Sequence, residues 1–205
     1  MDIRQLDAYA GRLRTWNDSP KYRAELRFLW RLLDPKPHER ILDIGCGTGA
    51  CVQYIAAHSE ASVDGFDVNR LVDGSPAWYR DRLDDAGRYD KIYFLHSLAH
   101  IPDAPEVLAR VVRDHLTSDG RLYVVTPNAD FDEYLRSLPR STPYVPDPTV
   151  HRHYTRATLT ALLDGAGLDV TIAGYAGKRE GGHHERLFAV AIRTARDGDA
   201  WSRTY

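Results

Sequence analysis

The sequence predicts an α/β fold organised around a mostly parallel sheet, and three observations carry that reading. Short apolar runs alternate with helical patterns from Arg40 onward, and a glycine-crowded turn, "DIGCGTG", follows the first of them. The last two strand-like runs are joined by a Gly- and His-rich stretch, as in a hairpin. At 205 residues the chain has length for one good-sized core, so a single domain is expected: a helical cap over 1–35, a core over 36–194 and a tail over 195–205.

Ile3, Leu6, Ala10 and Leu13 fit a first amphipathic helix, broken by "NDSP". Ser19 then caps and Pro20 opens a second, with Tyr22, Leu26, Leu29 and Leu33 on one face until Pro35 and Pro37 stop it. Next come "RILDIG", a helix from Gly49 to His58, "SVDGFDV", a short polar connection, "WYRDRL", "KIYFLH", a helix from about Pro105 to Leu116, and "RLYVVTP". Such alternation is what a parallel sheet with crossover helices writes. Thr155 can cap a helix carrying Leu159, Leu162 and Leu163, ended by "GAG"; "DVTIAGYA" and "RLFAVAIRT" close the fold as the hairpin. Between Pro139 and Pro148 four prolines exclude regular structure, and such a loop suits a lid.

Composition excludes several partners. Lys plus Arg (27) against Asp plus Glu (29) leaves a formal charge of −2, so no global field attracts nucleic acid or an anionic membrane. The N-terminus has no uninterrupted apolar run with a cleavage site, and nothing later reaches membrane-spanning length; a soluble, cytoplasmic protein is expected, as monomer or homodimer. Two cysteines, Cys46 and Cys51, offer no disulfide framework.

The chemistry concentrates at the first strand tip, since ligands of open parallel sheets sit beyond the carboxyl ends of strands. Gly45, Gly47 and Gly49 permit a tight turn and close backbone approach, and the helix beginning near Gly49 offers free N–H groups. A dinucleotide fingerprint spaces its glycines G-x-G-x-x-G; here Asp43 precedes G-x-G-x-G, and that acid would repel a pyrophosphate but welcome an ammonium. Asp67 ends the second strand, where a carboxylate accepts from both hydroxyls of a ribose. Ribose, ammonium and no phosphate together describe S-adenosylmethionine.

At this point "ILDIGCGTG" followed by "GFDVN" resembles motif I and the acidic post-I position of class I S-adenosylmethionine-dependent methyltransferases. "YDKIYFLHSLAHIPDAPEVLARVVRDHLTSDGRLYVVTPNADF" is similar to the fourth-strand to fifth-strand region of their small-molecule branch, and "HRHYTRATLTALLDGAGLDV" to a later segment, so the resemblance covers roughly 40–170. It implies a Rossmann-like seven-stranded, mostly parallel sheet with a C-terminal antiparallel hairpin strand, helices on both faces and an N-terminal helical cap. It further implies S-adenosyl-L-methionine as cofactor and a small-molecule methyl acceptor. Residue by residue, it implies Asp43, Gly45, Cys46, Gly47, Thr48 and Gly49 near the methionine moiety, Asp67 on the ribose and Val68 beside the adenine. Asp81 would contact the adenine amino group, Arg82 or Leu83 its ring, and His96 would lie near the sulfonium. About ten residues separate Asn69 from "WYRD", too few for the usual full helix there, and "TSDGR" keeps one glycine of "kPGGr".

Methyl transfer is an in-line displacement in which positioning does much of the work. A hydroxyl acceptor must also lose a proton, and histidine is the side chain suited to take it near neutrality. His100, His151 and His153 are the candidate bases, each with a structural reading beside it: helix capping or core filling for His100, fixing a strand-like entry for the other two. No H-x-x-x-H or Cys/His cluster supports a metal. Trp16, Tyr22 and Tyr9 are candidates for a substrate lid or simply for core. The expected function is a small-molecule methyltransferase, O- or N-directed, in the setting of secondary-metabolite tailoring. Two alternatives stand beside it: a non-catalytic S-adenosylmethionine-binding regulatory module, and a nicotinamide-dependent oxidoreductase.

Overall fold

The structure, a computed structural model, describes residues 11–72, 74, 76–138 and 149–194. Residues 11–17 are helical (α1) and end in a turn at Asp18. Ser19 Oγ accepts from the Tyr22 amide and Pro20 opens α2, Pro20–Leu33. A capping oxygen and a residue with no N–H to leave unpaired are what a helix start requires. Tyr22, Leu26, Leu29 and Leu33 bury one stripe of α2, and each such side chain contributes about 1.5–3 kcal/mol by leaving water. Glu25 lies in the same stripe and is 2 % exposed.

Seven strands follow: β1 Arg40–Ile44, β2 Ser62–Phe66, β3 Tyr79–Arg80, β4 Tyr89–Leu95, β5 Leu116–Pro127, β6 Leu168–Glu180 and β7 His183–Arg193. They form one sheet in the order β3-β2-β1-β4-β5-β7-β6. The first five are mutually parallel, while β7 inserts antiparallel between β5 and β6. The chain leaves β1 to one side for β2 and returns to the other side as β4, which makes the tips of β1 and β4 the switch point where such sheets bind ligands.

Strand alternation splits the core between two faces. Leu42, Ile92, Phe94, Leu122 and Val124 pack with Leu108 and Val111 of α4 (Ala104–Asp114) and with Leu159 and Leu163 of α6 (Arg156–Gly165). Ile41, Tyr93, Tyr123 and Val125 pack on the other face with α2 and with Val52 and Ile55 of α3, Ala50–His58. Thr155 caps α6 in a reciprocal pair with Thr158.

Several boundaries differ from the sequence reading. The helix expected to reach Leu116 stops at Asp114, because Leu116 already pairs with Tyr89 as the start of β5. "TSDGR" is absorbed into β5 as an irregularity: the register jumps from Tyr89↔Leu116 to Lys91↔Arg121. The "WYRDRL" run yields only a two-residue β3, followed by a 3-10 turn at Leu83–Asp85. The hairpin strands extend through most of "GKREGGHHE", leaving Gly181 and Gly182, both at positive φ, for the turn. An unforeseen helix, α5 Ala129–Ser137, starts from Asn128, whose side chain accepts from the Asp130 amide. The proline-rich stretch 139–148, Tyr9 and the tail 195–205 lie outside the described residues. Among the described residues no helix is long and apolar enough to cross a membrane, and no group of acids, cysteines and histidines is arranged to hold a metal.

Candidate active site

The turn after β1 is folded onto both neighbouring strand tips. The amides of Gly45 and Cys46 donate to the Phe66 carbonyl at the end of β2, at 2.8 and 3.1 Å. Gly45 has φ +82, and a Cβ there would stand 2.2 Å from Ser97 Cβ in the loop after β4. Ser97 Oγ donates to the Ile44 carbonyl, so glycine at 45 is what lets the β1 and β4 loops touch. Gly49, φ +79, starts α3, and its missing Cβ leaves room for the Trp78 ring.

Two carboxyl groups flank this turn. Asp67 accepts from the Gly47 amide through Oδ2 at 3.0 Å and from the Asn69 amide through Oδ1 at 2.8 Å, bracing the turn while its remaining lone pairs stay available. Asp43 is 2 % exposed. Its Oδ2 accepts from Tyr93 Oη at 2.9 Å, and its Oδ1 has no partner among the described residues. Burial pushes the Asp43 carboxyl up to about 8; the Tyr93 hydrogen bond opposes this and the charge of Asp67 adds to it. Burial likewise drives the Cys46 and Cys51 thiols well above the usual range, which leaves neither as a thiolate nucleophile.

A cavity of about 770 Å³ opens over this turn, within the size range of small-molecule sites. Asp43, Gly45, Cys46, Gly47, Thr48 and Asp67 form its floor. Val68, 83 % exposed, and Leu83 border it on the β2 side. Trp16, Tyr22, Ile101 and Phe131 add apolar lining, and Asn17 ties α1 to the turn through Thr48 Oγ1 at 2.7 Å.

The sequence-predicted residues divide accordingly. Asp43, the turn from Gly45 to Thr48, Asp67, Val68, Leu83, His96 and His100 all reach the cavity wall. Gly49 does not border the cavity; it packs against Trp78. Asp81 is exposed and paired with Arg70 at 3.0 Å, Arg82 is exposed toward Asp84, and neither borders the cavity. His151 and His153 are exposed and also stand off the wall; His153 instead lies 3.4 Å from Asp132. In the hairpin, His183 stacks on Tyr134 and His184 on Tyr175.

Sequence reasoning placed His96 at the site but missed the charged cluster it joins, which also lines the cavity. Glu25 Oε1 meets Arg186 Nη1 at 2.7 Å, and Glu25 Oε2 meets His96 Nε2 at 3.0 Å. Arg186 continues to Glu185 at 3.3 Å, and Glu185 to Lys21. His96 holds φ +58, a left-handed conformation uncommon outside glycine. One signal was visible: Glu25 interrupts the apolar stripe of α2 at a core position, and buried acids are paired.

The methyltransferase-domain family model matches residues 14–172. The chain is 26 % identical over 185 residues to trans-aconitate 2-methyltransferase of Deinococcus radiodurans, covering 77 % of this chain and 71 % of that protein. It is 29 % identical over 110 residues to 24-methylenesterol C-methyltransferase 2 of Arabidopsis thaliana, covering 45 % of this chain and 30 % of that one, so the chain spans under a third of that relative's length. In fold it is similar to the Burkholderia thailandensis 1,6-didemethyltoxoflavin-N1-methyltransferase, solved with 1,6-didemethyltoxoflavin and S-adenosylhomocysteine, at TM-score 0.66 and 20 % identity over 93 % of this chain and 85 % of that one. These matches leave the nicotinamide reading without support. The match over most of the chain shows its family: it belongs to the methyltransferase-domain proteins, the class I S-adenosylmethionine-dependent methyltransferases.

Proposed function

We propose that this chain binds S-adenosylmethionine over the glycine turn and transfers its methyl group to a small-molecule acceptor through O- or N-methylation, in a tailoring role. One observation carries the reading: Asp43 Oδ1 is buried in the cavity floor with no partner among the described residues, beside a turn that Asp67 braces. An unpartnered buried oxygen costs roughly 1–3 kcal/mol, and an ammonium headgroup relieves that cost. The residues present therefore fit the cofactor.

In this arrangement the free lone pairs of Asp67 accept from the ribose hydroxyls, and Val68 and Leu83 flank the adenine. The amides of the turn and the start of α3 face the amino-acid end. When bound, the cofactor supplies an electrophilic methyl group on a sulfonium. The chain's own work is to hold the acceptor in line, with its attacking atom about 3 Å from that carbon, which can supply roughly 7–11 kcal/mol. Trp16, Tyr22 and Phe131 exclude water from the acceptor side. A histidine of the loop after β4 takes the acceptor's proton; His96 and His100 border the cavity, while His151 and His153 do not.

Calorimetry tests this directly. S-adenosylmethionine and S-adenosylhomocysteine should both give saturable heat and NAD none. Absence of heat from the first two would refute the assignment.

A further inference from the structure

We propose that His96 is the general base of the reaction, that Glu25 is its positioning residue, and that the acceptor atom is a hydroxyl oxygen of an alcohol or phenol. The inference rests on the cofactor site proposed above and goes on to name the acceptor chemistry.

Glu25 is the one acid on the buried face of its helix. A carboxylate 2 % exposed on an otherwise apolar helix stripe is stable only when paired, and here each oxygen has its own partner: Arg186 Nη1 at 2.7 Å and His96 Nε2 at 3.0 Å. Arg186 is itself shared with Glu185, which also takes Lys21. The guanidinium supports the carboxylate, and the carboxylate fixes the imidazole.

With Nε2–H donating to Glu25, Nδ1 carries the free lone pair, since the tautomer of a histidine follows from the bond its other nitrogen makes. Nδ1 has no partner among the described residues, and His96 borders the cavity between Glu25 and the glycine turn. His96 holds a left-handed backbone, which persists only where the surroundings fix it, and the contact between Gly45 and Ser97 pins the next residue of that loop. His100 lacks this support: its Nδ1 meets the Thr149 carbonyl at 3.0 Å and Thr149 Oγ1 at 2.9 Å, and no carboxylate among the described residues pairs with it.

An oriented imidazole backed by a buried carboxylate serves an acceptor that cannot attack while protonated. A neutral amine already offers its lone pair, and a thiol ionises readily; a hydroxyl needs the base. In the step, the acceptor O–H bond breaks and its proton passes to His96 Nδ1, forming an imidazolium against Glu25. The acceptor oxygen forms the new bond to the methyl carbon, the electron pair of the carbon–sulfur bond returns to sulfur, and His96 later releases the proton to water through the cavity mouth.

The test has two readouts on the full chain. Long-range ¹H–¹⁵N spectra of the wild type bound to S-adenosylhomocysteine, with His96 assigned from its loss in His96→Asn, should show a neutral ring protonated at Nε2. A ring protonated at Nδ1 overturns the proposal whether or not any acceptor is turned over. Asn is chosen because it tolerates left-handed backbone. Release of S-adenosylhomocysteine is then followed with phenol, catechol and benzyl alcohol as probes and thiophenol as the control that needs no base. For any hydroxyl probe turned over, His96→Asn should lower kcat about 10²–10⁴-fold with S-adenosylhomocysteine affinity within twofold. Glu25→Gln should lower kcat with little change in KM, and Glu25→Asp should restore part of it. Unchanged kcat in His96→Asn, or turnover of thiophenol alone, overturns the proposal. Loss of S-adenosylhomocysteine binding by the wild type would instead refute the cofactor site itself.

Discussion

Asp67→Ala isolates the sugar end of the proposed cofactor site. In the free protein the carboxylate already accepts two amides, Gly47 N at 3.0 Å and Asn69 N at 2.8 Å. It is half-buried, so both amides can turn to water when it is removed, and the loss of stability should stay near 1 kcal/mol. The effect on the cofactor is different. Hydrogen bonds from neutral hydroxyls to a charged acceptor are worth roughly 1.5–3 kcal/mol each where water is excluded, and less at a half-exposed position. A total loss of about 1–3 kcal/mol follows, a rise in Kd of roughly five- to 150-fold. Titration calorimetry with S-adenosylhomocysteine measures it, with thermal melting run alongside to show that the variant is folded. A folded Asp67→Ala protein that binds within twofold of the wild type would refute the assignment of Asp67 to the ribose.

Further expectations concern the floor and rim of the cavity. Burial holds the Asp43 carboxyl protonated up to about 8, whereas the unfolded chain ionises near the ordinary value of about 4. Between these the native state binds the extra proton, so the contribution of Asp43 to stability falls as pH rises, by at most about 1.4 kcal/mol per pH unit. Asp43→Asn should flatten that slope in urea titrations from pH 5 to 8; parallel slopes would contradict the buried protonated acid. If an ammonium headgroup binds Asp43, cofactor binding at pH 7 should release a proton, read as a dependence of calorimetric heat on buffer ionisation enthalpy that Asp43→Asn abolishes. Gly45→Ala places a Cβ 2.2 Å from Ser97 Cβ at φ +82; strain of about 1–2 kcal/mol adds to a backbone shift, and the variant should lose more than tenfold in S-adenosylhomocysteine affinity as well as melting at lower temperature. His151→Ala and His153→Ala should each leave turnover within twofold, since both side chains are exposed and off the cavity wall; a tenfold fall in either would bring the segment after residue 148 back into the chemistry.

Legibility in the sequence tracked the range of the interactions involved. The start of α2 was readable because Ser19 and Pro20 act on the amides of the next turn, and the sheet was readable because strands buried on both faces must be apolar along their length. α5 was not, because its nine residues carry little besides Phe131 and Leu135 to mark a buried face, and its cap, Asn128, acts on a helix with no visible stripe. The start of β5 proved equally obscure: whether "TSDGR" turns or stays in the ladder is decided by Tyr89 pairing with Leu116 across the sheet, which no local pattern encodes. At the site, Asp43, Asp67 and the glycines lie within 25 residues and announce themselves by spacing. The Glu25, His96 and Arg186 cluster joins a cap helix, a strand tip and the hairpin, and only tertiary folding brings those three together.

The central claim is that the β1 and β2 tips together hold an adenosyl ligand by its ribose and its amino-acid headgroup. A crystal structure with S-adenosylhomocysteine measures this most directly. The ribose hydroxyls should lie within hydrogen-bond distance of Asp67, the ammonium beside Asp43 Oδ1, and the sulfur should face the side of the cavity that His96 borders. Density that places the ribose away from Asp67, or the amino-acid end away from Asp43, would contradict it.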